Sequence, residues 1–400
     1  MNENKIINGD CLEVMKGFQE NFIDTIITDP PYGLKFMGKK WDYKIPSIDV
    51  FKEMLRIAKP GAILLCFGGT KTFHRIACNI EDAGWLIRDT LMWVYGSGFP
   101  KSLNISKAID KKFNKKRTGM IRTDGKKTDS GSNIYDCNNG KDIMKPIYED
   151  GEPITDDAKK WNGWGTGLKP AYEPIIMAMK PIEKNFVNNA LKWNVSGINI
   201  DGCLIGDGSD KIKGGCKTKG SAWNKGLAKG VGKGYAERIY NQGRYPANII
   251  FDEEAGKMLD EQSGILTSVA MKGVINNTQS QQLKGLKPIE VNISGSIGGA
   301  SRFFYCAKAS NKERGKINKH PTVKPIKLLK YLCELTSTPD GGIILDPFFG
   351  SGSLGIAALL SGRNFIGIEK SIKYIRWAKI RIEAFNIRRQ KCKEIKNKKL

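Results

Sequence analysis

Histidine is almost missing from this chain, with two in 400 residues, and the nine cysteines (Cys11, Cys66, Cys78, Cys137, Cys203, Cys216, Cys306, Cys333, Cys392) include no C-x-x-C pair. Without paired thiols or histidines to complete a ligand set, a structural metal site is not expected, and the cysteines read as reduced thiols. No apolar run approaches the roughly 20 residues of a membrane span. The polar opening MNENKIINGD lacks a charged-then-apolar secretion pattern. A membrane or secreted protein is therefore not expected, and there is no tandem repeat of fixed period. Acids are also short: 41 Asp and Glu face 65 Lys and Arg, a formal net charge of +24. Such an excess calls for a polyanionic partner, nucleic acid first.

What is present is enough for a packed interior, since 40% of residues are hydrophobic, and the length predicts one large or two unequal folding units. Short apolar runs at Ile6-Ile7, Ile23 to Thr28 and Ala62 to Phe67 read as buried strands. Ile48 to Ala58 has helical spacing and ends at Lys59-Pro60-Gly61, giving a β-α-β unit. Thr90 to Tyr95 reads as a further strand. From Lys101 to Lys160 the texture is polar and reads as insertion, and Leu168 to Pro181 is strand-like. Strands at Gly342–Asp346 and Asn364–Glu369, each followed by a helical pattern, restore the α/β texture. Arg388 to Leu400 reads as a solvated, frayed basic tail.

A glycine-rich stretch from Lys211 to Arg238 carries eight basic residues against one acid, interleaved with Trp223 and Tyr235. Its Lys217, Lys219, Lys225 and Lys229 are candidates for contact with a nucleic-acid backbone.

Two motifs carry chemistry. Asp29-Pro30-Pro31-Tyr32-Gly33 follows the apolar run FIDTIIT, at the carboxyl end of a predicted strand, where ligands bind in open α/β sheets. The prolines remove two N–H donors. What remains is a carboxylate, a carbonyl and a flat ring, which suit an exocyclic amino group on a planar heterocycle. The second motif, Asp346-Pro347-Phe348-Phe349-Gly350-Ser351-Gly352-Ser353, is a strand end, a glycine turn and a helix start. Glu369, 17 residues beyond Gly352 at the end of NFIGIE, is placed to accept from ribose hydroxyls, which implies a nucleoside cofactor.

In this order, 317 positions apart, the motifs resemble those of beta-class S-adenosylmethionine-dependent DNA amino-methyltransferases of phage or prophage type. The resemblance covers residues 1–100 and 300–385, and more loosely GWGTGLKPAYEPIIMAMKP and RYPANIIFDEEAGKMLDEQSG. It implies a circularly permuted, Rossmann-like α/β fold with a seven-stranded mostly parallel sheet. In that arrangement residues 1–100 are the catalytic half, 101–300 an inserted target-recognition region from which 161–184 returns to the catalytic domain, 301–385 the cofactor half and 386–400 a basic tail.

It also implies site roles. Asp29, Pro30, Pro31 and Tyr32 form the catalytic group, and Phe348, Gly350, Gly352 and Glu369 line S-adenosylmethionine. Asp10 lies near the cofactor adenine, and Thr322 and Lys324 of His320-Pro321-Thr322-Val323-Lys324-Pro325 face the methionine carboxylate. Asp346 is either a cofactor contact or a turn acid. The implied partner is double-stranded DNA in a cytoplasmic setting. A homodimer is compatible with the sequence, and a restriction endonuclease partner has no signature in it. Adenine N6 is favoured over cytosine N4 as the target. The rival readings are a catalytically idle DNA-binding protein and a methyltransferase acting on RNA or protein.

Overall fold

The computed structural model describes residues 4–34, 42–96, 98, 102–117, 121–122, 147–148, 151–206, 243–268, 271–275, 289–293, 296–307 and 323–397. Two units are distinguished, one of residues 1–97 with 171–400 and one of residues 98–170.

Among the described residues, the larger unit is built on a nine-stranded sheet. Its strands are β1 (Lys5–Asn8), β2 (Ile23–Thr28), β3 (Ala58–Phe67), β4 (Leu86–Val94), β5 (Tyr172–Met179), β6 (Ile249–Asp252), β7 (Tyr305–Ala307), β8 (Ile343–Asp346) and β9 (Asn364–Glu369). In space they run β1-β9-β8-β2-β3-β5-β4-β6-β7. The seven strands from β1 to β4 in that order match the expected core, and β6 and β7 are two short additions at the far edge. All neighbouring pairs are parallel except the two made by β5, which is antiparallel to both β3 and β4.

The apolar runs explain the layering. Every residue of β2 is buried, the pattern of a strand covered on both faces. Helix α1 (Ile48–Ile57) turns Val50, Phe51, Met54 and Ile57 onto one face of the sheet, and Trp85 reaches the same layer to donate its indole N–H to the Phe51 carbonyl at 3.0 Å. Helix α2 (Ile326–Leu335) and helix α3 (Ser353–Leu360) pack on the other face, with Leu328, Leu332, Leu354 and Ala357 in the second core.

Three polar side chains are buried at the amino end of β2 and are tied together by hydrogen bonds, with the Arg363 Nε alone among their atoms left without a partner. Asp24 accepts from Lys59 at 2.6 Å and from the Ile343 amide at 2.7 Å. Thr25 donates to the Thr336 carbonyl and accepts from Arg363, whose buried guanidinium also donates to the Cys333 carbonyl. This end of the sheet is a tie-down.

Two local expectations are corrected. Lys59-Pro60-Gly61 does not separate α1 from the next strand, because β3 begins at Ala58 directly after the helix. The breaker residues are absorbed as a bulge: between Ile23 and Thr25 of β2 the partner positions on β3 advance from Ala58 to Ile63. The basic tail is not frayed from residue 388 either. The last helix runs Ile372–Asn397, since the stretch is rich in Lys and Arg, which favour helix, and contains no glycine or proline to stop it.

The smaller unit is organised by polar contacts, in keeping with its sparse apolar pattern. Asp110, in the helix Ile105–Lys112, accepts from the amides of Ile154 and Thr155, from the Thr155 hydroxyl and from Arg117, while Ser106 donates to the Ala158 carbonyl at 2.6 Å.

Candidate active site at the carboxyl edge of the sheet

The strand order brings the two motifs together across their long separation. β2 and β8 are direct neighbours, so the segments that leave their carboxyl ends start side by side. The link is a hydrogen bond: Thr28, the last residue of β2, donates its hydroxyl to Asp346 Oδ1 at 2.8 Å. The same oxygen accepts the Phe348 amide at 3.0 Å. Asp346 is thus turned inward at the root of the glycine loop. Burial, with lesser repulsion from Asp29 and Glu369, pushes its carboxyl up to about 7 against the two hydrogen bonds.

Beyond Thr28, the Asp29–Gly33 turn is held by Asp42, whose Oδ1 accepts the amides of Tyr32 and Gly33 at 2.8 and 3.0 Å. Tyr32 donates its hydroxyl to Asp29 Oδ1 at 2.7 Å. Lys324 donates to Asp29 Oδ2 at 2.7 Å and lies 3.2 Å from Glu173 Oε2, which is itself 3.3 Å from the Tyr32 hydroxyl. The Lys324 side chain is 8% exposed, and its ammonium sits 5.5 and 5.0 Å from the ring centroids of Tyr32 and Phe67. Burial by itself would lower the lysine's pKa, but Asp29 and then Glu173 outweigh it and hold the ammonium above the usual range. Burial, followed by the charges of Asp29 and Glu173, drives the Tyr32 phenol well above its ordinary value, so it remains a donor.

Glu173 was not singled out by sequence. It stands near the start of β5, and because β5 is antiparallel its first residues arrive at the edge where the parallel strands end. An acid in the otherwise apolar run YEPIIMAM is the available signal, but its meaning depends on strand direction. Asp42 carried no pattern that sequence reasoning used.

The glycine loop lies on the same edge. Gly350 and Gly352 have φ of +53° and +79°, the left-handed region that glycine enters without a Cβ clash. Gly350 donates its amide to Glu369 Oε2 at 2.8 Å, and Ser371 donates to Oε1 at 2.7 Å. Burial raises the Glu369 pKa. Phe349 is buried against β9, where a Cβ on Gly367 would lie 2.3 Å from its ring. Phe348, the residue assigned by sequence, is only partly buried. Asp10, at the end of β1 beside β9, accepts the Leu12 amide as a helix cap and lies 3.2 Å from Lys370 Nζ. From β1 through β9 and β8 to β2, the strand ends therefore present Asp10, Glu369, Asp346 and Asp29 in series.

Lys324 is found with Asp29 and Glu173, not among the glycine-loop contacts. Thr322 and the four lysines Lys217, Lys219, Lys225 and Lys229 lie outside the described residues. Among the described residues no group of three His, Cys, Asp or Glu is placed to hold a metal ion, and no helix is long and apolar enough to cross a membrane.

Residues 23–380 match the N6_N4_Mtase family model, described as DNA methylase. The chain belongs to this DNA methylase family. Among curated proteins, the type II methyltransferase M2.DpnII of Streptococcus pneumoniae is 50% identical over 68 residues, 17% of this chain and 25% of that protein. M.BglI of Bacillus subtilis is 40% identical over 92 residues, 23% of this chain and 25% of that protein. These matches span about a quarter of each relative's length. Among solved structures, the cytosine-N4-specific PvuII DNA methyltransferase aligns over 95% of this chain and 86% of its own at 14% identity, with a TM-score of 0.45. M1.HpyAVI aligns over 94% and 98% at 16% identity, with a TM-score of 0.39.

Proposed function

We propose that this methylase transfers a methyl group from S-adenosylmethionine to the exocyclic amino group of a base flipped out of double-stranded DNA, with adenine N6 the target. The observation that carries this reading is the Thr28–Asp346 hydrogen bond at 2.8 Å, which sets an amine-accepting platform beside a glycine loop of the kind that receives a nucleoside. The net charge of +24 and the type II methyltransferase relatives support DNA as the substrate.

The residues present fit the cofactor. Glu369 and Asp10, at adjacent strand ends, offer carboxylates to hydroxyl and amino donors, and the positive φ values of Gly350 and Gly352 fold the loop tightly next to Glu369. Bound S-adenosylmethionine supplies an electrophilic methyl group on a sulfonium centre.

The chain's own groups prepare the acceptor. Asp29 and the Pro30 carbonyl accept the two amino N–H bonds, which favours a pyramidal nitrogen with a free lone pair and counters the positive charge that develops there. Pro30 and Pro31 contribute no N–H that would compete. Tyr32 offers a ring for the base to stack on, and a base must leave the duplex to reach it. The carboxylate at position 29 favours adenine: it is the stronger acceptor, and in resembling enzymes serine at this place is more usual with cytosine.

The test is to incubate the chain with unmethylated DNA and labelled S-adenosylmethionine, digest to nucleosides and separate them by mass. N6-methyladenine is expected. N4-methylcytosine alone would overturn the choice of base and keep the mechanism, whereas label found only in RNA or protein would overturn the substrate.

A further inference from the structure

Both oxygens of Asp29 are engaged, Oδ1 by the Tyr32 hydroxyl and Oδ2 by Lys324, each at 2.7 Å. A base amino group that approaches Oδ2 therefore meets the Lys324 ammonium already seated there. The ammonium resembles the group it blocks, since it places N–H donors on Oδ2 and sits 5.5 Å from the Tyr32 centroid. It is also buried, so it cannot be displaced without another anion to receive it, because an unpaired buried charge is strongly disfavoured. Glu173 Oε2, 3.2 Å from Nζ, is already within reach. Asp29, Glu173 and Lys324 together carry one net negative charge, so a shift of Lys324 from one carboxylate toward the other leaves it paired and opens Oδ2.

We infer that Glu173 is a positioning residue that takes over Lys324 when the target base arrives, leaving Asp29 to accept the amine. The inference rests on the functional reading above and deepens it. Glu173 touches neither base nor cofactor in this scheme; it also accepts from the Tyr32 hydroxyl at 3.3 Å, but its positioning role runs through Lys324.

Single-turnover transfer from labelled S-adenosylmethionine to unmethylated genomic DNA, with the full chain in excess and the cofactor saturating, tests it on wild type, Glu173→Gln, Glu173→Asp, Lys324→Met and the Glu173→Gln/Lys324→Met double variant. Wild-type transfer keeps the two readings apart: if wild type transfers nothing to DNA, the functional reading falls and the inference with it. Given wild-type transfer, Glu173→Gln should slow the rate on the order of 10- to 100-fold with cofactor affinity within about twofold. Glu173→Asp, which keeps the charge but not the shape, should be faster than Glu173→Gln. In the Lys324→Met background the same Gln substitution should change the rate by less than about twofold, because the group it serves is gone. Equal losses in both backgrounds, a loss of cofactor affinity in place of rate, or Gln matching Asp would each overturn the inference. If Lys324→Met is inactive or fails to fold, the ranking of Asp against Gln decides.

Discussion

Asp346→Asn separates two roles for the acid that opens the glycine motif. The side chain is 5% exposed, and Oδ1 accepts from Thr28 and from the Phe348 amide. An asparagine Oδ1 can accept both bonds without carrying charge. In the folded chain burial pushes the Asp346 carboxyl up to about 7 from its ordinary 3.8. Between those values the native state holds a proton that the unfolded chain has released. The acid's penalty is therefore absent below about pH 4, grows as pH rises, and is complete above about pH 7. About three pH units at 1.36 kcal/mol each give a penalty of about 4 kcal/mol. The variant should be more stable than wild type by about 2 to 4 kcal/mol near pH 8, and by about 1 kcal/mol or less near pH 4.5. Urea unfolding at the two pH values reads the difference, and calorimetric titration with S-adenosylmethionine should show affinity within about threefold of wild type. Lower stability of the variant near pH 8 would refute the burial argument. A loss of affinity beyond about tenfold would place Asp346 among the cofactor contacts.

Asp29→Ala should abolish methyl transfer while cofactor binding persists, measured by transfer from labelled S-adenosylmethionine alongside titration; near wild-type turnover would remove Asp29 from the chemistry. Gly350→Val should instead weaken cofactor binding and lower transfer with it, because a β-branched residue at φ +53° strains the loop by about 1 to 3 kcal/mol and disturbs the amide that Glu369 accepts; unchanged cofactor affinity would refute that. Gly367→Ala drives a Cβ into the buried Phe349 ring and should destabilise by about 1 to 3 kcal/mol, seen as a lower unfolding midpoint. Neutralising Lys217, Lys219, Lys225 and Lys229 together should weaken DNA binding and flatten its log-log salt dependence by about 0.9 for each phosphate that is no longer neutralised; an unchanged slope would make that stretch a solvated loop.

The parts of the site legible in the sequence are those in which local pattern and position coincide. Ile23–Thr28 reads as a strand because it is buried on both faces, and in a parallel sheet the residue after such a run stands where ligands bind. Asp29 and the glycine loop could therefore be assigned from their own neighbourhoods. Glu173 could not, and Lys324 could be assigned only as a contact of the methionine carboxylate. Glu173 reaches the edge only because β5 runs against its neighbours, and an apolar run carries no mark of direction. Lys324, close to the glycine motif in sequence, is held instead by Asp29 from the turn after β2 and by Glu173 from β5. Long-range pairing also explains the bulge at Pro60-Gly61, since a turn signal read locally has no knowledge that β2 and β5 flank it. The antiparallel strand is thus more than a detail of topology. Parallel strands alone line the edge with Asp10, Glu369, Asp346 and Asp29, a row of acids suited to a cationic donor and an amine. By bringing Glu173 to that row from the opposite chain direction, β5 supplies a second carboxylate for the buried lysine, which in the proposed scheme keeps it paired while Asp29 accepts the amine.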